Sequence, residues 1–112
     1  MKKESGNYLE KIPSRNESIN WTVDEKGIVT LEIENKGVFN KLAQKLLKKP
    51  KITYIHLDEL GSFSWQMADG EKNILVIGKD VKEKFGGTAE PLYERLAKFF
   101  QIVHSYGFIK FK

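Results

Sequence analysis

The chain contains no cysteine. That absence excludes disulfides, thiolate nucleophiles, iron–sulfur ligation and thiolate zinc sites together. It has only two histidines, His56 and His104, far apart in sequence. A histidine-based metal cluster therefore has little to build on, and no metal site is expected. No apolar run approaches the roughly 20 residues that a membrane-spanning helix needs. Charge of one sign is not dominant either. Nineteen Lys and Arg stand against fifteen Asp and Glu, for a net charge of +4, which describes solubility more than a partner. Met1-Lys2-Lys3 has the basic character of a secretory n-region, but Glu4-Ser5-Gly6-Asn7 follows instead of an apolar stretch. No secretory signal is expected, and the location expected is cytoplasmic.

At 112 residues, 40% hydrophobic and 12% aromatic, the chain has the length of one domain and enough apolar residues for a core. Residues 1–18 are polar, with Gly6, Pro13 and several charges, and read as a flexible N-terminal arm; residues 19–112 read as a single domain. Ile19–Val23 and Ile28–Glu34 alternate apolar and polar residues around Asp24-Glu25-Lys26-Gly27, the pattern of a β-hairpin. The period then changes. Val38, Phe39, Leu42, Ala43, Leu46 and Leu47 recur at helical spacing until Pro50. Six lysines and no acid lie between Lys36 and Lys51. They fit either an acidic-ligand surface for lipid or nucleic acid, or the solvated side of an amphipathic helix packed on the sheet.

Ile52–Leu57 is rich in β-branched and aromatic residues and reads as a third strand. Asp58 is placed to cap a short helix that Asp69-Gly70 ends. Asn73 caps the next helix, with Ile74, Ile77, Val81 and Phe85 on one face and Gly86-Gly87 at its end. The last helix starts near Pro91, which the first turn tolerates, and stops at Gly107. Phe108–Phe111 adds a short terminal strand. The fold class expected is α+β and winged-helix-like: a small antiparallel three-stranded sheet followed by a three-helix bundle, with an extra basic helix between strands two and three.

Nothing in this order makes a case for catalysis. Neither histidine has an adjacent Ser and Asp arrangement that suggests an activated nucleophile, the carboxylates are scattered among lysines, and Gly86-Gly87 lacks the residues of a phosphate-binding loop. No enzyme activity and no cofactor are expected. The last helix is more informative. Leu92, Leu96, Phe99, Val103 and Tyr106 form one stripe, and Tyr93, Ala97, Phe100 and His104 form a second beside it. One helix on a small core needs a single apolar stripe. The second reads as a wider buried face, as a surface under the N-terminal arm, as a homodimer face, or as one wall of an apolar groove. With Ile52–Leu57 at the sheet edge as the other wall, a peptide can add as a strand. A DNA-reading role suits this helix poorly, because Glu90 and Glu94 would face phosphates. A winged-helix nucleic-acid binder using the Lys41–Lys51 patch is the alternative function.

The run His56-Leu57-Asp58-Glu59-Leu60-Gly61-Ser62-Phe63-Ser64-Trp65-Gln66 with Asp69-Gly70 resembles the PqqD family, the coenzyme PQQ synthesis protein D relatives. So do Lys84-Phe85-Gly86 and the Leu92…Leu96…Phe99-Phe100 helix closing at Tyr106-Gly107-Phe108-Ile109. The resemblance spans about Ile52 to Phe111, and the Val38–Lys49 helix is additional to the family's simplest pattern. It implies a winged-helix-like peptide chaperone, or leader-recognition domain. Such a domain binds the leader of a ribosomally made precursor peptide and presents it to a modifying enzyme, commonly a radical SAM enzyme. The leader lies as an added strand between the third strand and the last helix. Carried onto this chain, the peptide-binding residues are Thr53, Tyr54, Ile55 and His56 with Tyr93, Ala97, Phe100 and His104.

Overall fold

The structure, a computed structural model, describes residues 8–35 and 51–112. In chain order they form β1 (Pro13–Arg15), β2 (Asn20–Val23), β3 (Val29–Asn35) and β4 (Lys51–His56). Then come α1 (Glu59–Met67), α2 (Ile74–Phe85), a 3-10 turn (Gly86–Ala89), α3 (Leu92–Ser105) and β5 (Ile109–Phe111). The fold is thus α+β with small antiparallel sheets and three helices, as the sequence led us to expect at that level. The basic helix expected over Val38–Lys49, and most of the Lys41–Lys51 patch, lie outside the described residues.

The hairpin between β2 and β3 is made by Asp24. Its carboxylate accepts from the Lys26 and Ile28 N–H groups at 2.9 Å each, and Gly27 takes φ 85°, a region open to glycine at little cost. β2, β3 and β4 are ordered in that sequence and antiparallel, with Trp21 opposite Leu31 and Leu31 opposite Ile55. Directly opposed residues share a face. Trp21, Leu31, Ile33 and Ile55 therefore line the inner face, while Thr30, Glu32, Tyr54 and His56 line the outer one.

The helices pack on that inner face. Wholly buried Val29 and Leu31 meet Trp65 of α1, Ile74, Ile77 and Val81 of α2, and Leu96 and Phe100 of α3. Burying one side chain of this size contributes about 1.5–3 kcal/mol. Trp21 and Trp65 meet edge to face with ring centroids 6.3 Å apart. Ser62, buried in α1, accepts from the Val29 N–H at 2.8 Å and donates to the Leu57 carbonyl at 3.3 Å, so one hydroxyl fastens helix to sheet. The expected caps are present: Asp58 accepts from Gly61 N–H at 2.7 Å, and Asn73 from Val76 N–H at 2.9 Å.

The N-terminal segment departs from the sequence reading. Residues 13–15 are a strand, paired antiparallel with β5 in the register Pro13 to Phe111 and Arg15 to Ile109. Further bonds hold the segment: Arg15 N–H to the Ala68 carbonyl, Asn16 N–H to Phe108, and Ile74 N–H to Lys11. The Arg15 guanidinium donates to the Trp65 and Gln66 carbonyls at 3.1 and 2.9 Å. Every one of these partners is distant in sequence, so a polar three-residue strand carries no local signal.

Candidate functional site

β4 is an edge strand among the described residues, because β3 pairs with it on one side and no other described strand pairs on the other. Its outer face carries Ile52 and Tyr54, 41% and 58% exposed, opposite Glu34 and Glu32. His56, also outward, bonds through Nδ1 to the Thr30 hydroxyl at 2.8 Å. Ile55 points inward and is half-buried, and Thr53 shares its face. A two-residue link, Leu57-Asp58, then delivers the chain into α1.

The helix α3 presents three apolar lines, not two. Successive residues turn by about 100° around a helix. Leu92, Leu96 and Val103 form the central, buried line. The Tyr93–Ala97–Phe100–His104 line lies on one flank, where Phe100 is buried, Tyr93 and Ala97 are half-buried and His104 is exposed, and the chain itself meets three of the four. The Tyr93 hydroxyl donates to the Leu75 carbonyl of α2 at 3.3 Å. Its ring covers Gly78, where an added Cβ would collide with it. Phe100 has no exposed surface, and the His104 ring packs on Phe111 of β5, centroids 4.7 Å apart. The neighbour that the second stripe asked for is thus α2 and β5. Phe100 cannot line an open groove, whatever its spacing suggests.

The other flank carries Arg95, Phe99, Ile102 and Tyr106. Phe99 closes on Gly61, whose missing Cβ would sit 3.0 Å from its ring. Gly61 lies in the first turn of α1, three residues after Asp58 of the link, so this flank, not the Tyr93 flank, is turned toward the end of β4. Beyond Phe99, Ile102 and Tyr106 are 46% and 69% exposed, and Tyr106 stacks on Phe108 with centroids 5.4 Å apart. Sequence spacing assigned Phe99 and Tyr106 to the core and gave Ile102 no role. The signal was available: three apolar lines on one helix leave one over after core and α2 are served.

Perturbed titrations lie away from this flank. The Lys72 ammonium, bonded to Asp69 at 2.6 Å, and the Glu71 N–H hold the Asp69 carboxyl down at about 2. Lys82, at 2.8 Å, likewise lowers Glu90, whose other oxygen accepts from Leu92 N–H. The start of α3 is thus already served by a carboxylate and is poorly suited to phosphate. Burial raises the Tyr8 hydroxyl to about 12. Among the described residues no three His, Cys, Asp or Glu side chains are grouped to hold a metal ion. No described helix is long and apolar enough to cross a membrane.

A family model described as coenzyme PQQ synthesis protein D (PqqD) matches residues 28–109. That span starts at the turn into β3 and ends at β5, so it includes both β4 and α3. No match to a curated protein or to a solved structure accompanies it.

Proposed function

The chain belongs to the PqqD family, and from that premise we propose that it is a non-catalytic peptide-binding module. It recognises the leader of a ribosomally synthesised precursor by strand addition to β4 and presents it to a modifying enzyme, of the radical SAM class. The overall arrangement, a three-stranded sheet packed on three helices, supports a winged-helix-like description. The observation that carries the reading is the pairing of an edge strand with an exposed apolar flank. The short Leu57-Asp58 link and the Phe99–Gly61 contact hold α3 near the end of β4. A strand added to β4 gains backbone bonds from the edge and turns alternate side chains toward Phe99, Ile102 and Tyr106.

Calorimetry with a leader-derived peptide tests this. Ile102→Asp and Tyr106→Asp place charges on exposed positions and leave the fold intact. Each should weaken binding by about tenfold or more, as expected for a charge set into an apolar contact. Unchanged affinity in both variants removes this flank from the site. Peptides N-methylated at alternate residues test the strand itself: one phase of methylation should abolish binding and the other leave it. If the exposed flank is instead a homodimer face, sedimentation shows a concentration-dependent dimer that both aspartates disrupt.

A further inference from the structure

A second concavity lies at the end of the sheet, between the β2–β3 turn, α1 and the last turn of α2. It has a volume of about 430 Å³. Its apolar lining is Phe63 and Phe85, which meet edge to face at 5.9 Å, with Val23, 46% exposed, on the hairpin side. Lys26 and Lys84 also line it, with Glu59 as the acid.

The two lysines are held in different ways. Asp24 accepts from the Lys26 backbone N–H, fixing the turn that carries it. The Lys84 ammonium lies 5.6 Å from the Phe63 ring centre and 5.7 Å from that of Phe85. Among the described residues neither lysine is ion-paired with a carboxylate. Lys82, two residues before Lys84, contrasts with it, being bonded to Glu90. Two lysines without an ion pair among the described residues thus flank an aromatic floor large enough for one or two side chains, with Glu59 as the single acid in the lining.

We propose that this concavity is a docking site for an acidic protein segment that carries an apolar anchor. The anchor lies on Phe63, Phe85 and Val23, and flanking carboxylates pair with Lys26 and Lys84. Charge complementarity chooses this occupant: an apolar side chain alone leaves both ammonium groups unpaired, and a basic segment is repelled by both. The site uses the hairpin turn and not the β4 edge, so it can be filled while a peptide strand occupies β4. It does not depend on the leader-binding reading.

The test is an NMR titration of the full chain with the peptide acetyl-Glu-Asp-Leu-Asp-Glu-amide, beside its basic counterpart acetyl-Lys-Arg-Leu-Arg-Lys-amide. The acidic peptide should shift amides at Val23–Gly27, Phe63 and Lys84–Phe85. The doubly substituted Lys26→Glu, Lys84→Glu chain, both exposed positions, should bind about tenfold more weakly or worse, and added salt should weaken the native interaction. Glu59→Gln, which removes the one carboxylate at the rim, should tighten it. Equal binding of the basic peptide, shifts clustered elsewhere, or no shifts at millimolar peptide overturns the proposal. Shifts along β4 and α3 alone would overturn it while leaving the proposed leader site standing.

Discussion

At the scale of single residues, Ser62 has more consequence than its small side chain suggests. It is buried and meets β3 and the link after β4 at once, accepting from Val29 and donating to Leu57. Ser62→Ala strands the Val29 N–H in the core, and an unsatisfied buried donor costs about 1–3 kcal/mol. Chemical denaturation should show that loss as a lower midpoint with an unchanged slope. Asp69 acts through its charge. The Lys72 bond lowers its carboxyl from the ordinary 3.8 to about 2 in the folded chain, so the folded state favours the ionised form. Its contribution is therefore present above about pH 4 and is lost as pH falls through about 2. Thermal melts of the native chain and Asp69→Asn should differ at pH 7 and converge near pH 2. Because the pair is exposed, the difference at neutral pH should be small.

At the scale of elements, what the sequence revealed was set by the range of the interaction behind each feature. The hairpin, the caps at Asp58 and Asn73, and the stop at Gly86 all rest on contacts within a few residues, and all were legible. β1 was not, because Pro13-Ser14-Arg15 becomes a strand only by meeting β5 at the far end of the chain. The last helix lies between these cases. Its helical run and its excess of apolar residues were readable. Which flank is covered was not, since that depends on where Gly78 lets Tyr93 settle against α2. The outcome separates two substitutions that spacing alone would treat alike. Phe100→Asp puts a carboxylate in a wholly buried position and should cost more than the 3–5 kcal/mol of a Phe→Ala change, so circular dichroism should show an unfolded chain. Ile102→Asp and Tyr106→Asp should keep native spectra and lose only peptide.

At the scale of the whole molecule, the residues around β1 tie together the ends of three helices that also share the core. Arg15 reaches the end of α1, Asn16 the turn after α3, and Lys11 the start of α2. The Arg15 guanidinium also lies 5.2 Å from the Trp21 ring centre, linking the small sheet to the larger one. Arg15→Ala removes two charged hydrogen bonds and this ring contact at once. A loss of about 2–4 kcal/mol is expected, with hydrogen exchange rising together at the end of α1 and in β5. Exchange rising at Arg15 alone would mean that the clamp is local.

Trp21 and Trp65 are the two tryptophans of the chain. One stands on the sheet and the other on α1, with their ring planes at 84°. Two indoles so close and so inclined couple their electronic transitions. The distance between sheet and helix is therefore written into the ultraviolet dichroism and the emission of the unlabelled protein. A peptide strand that shifts the sheet against α1 should change that signal without any attached dye, and one that merely adds to a rigid edge should leave it still.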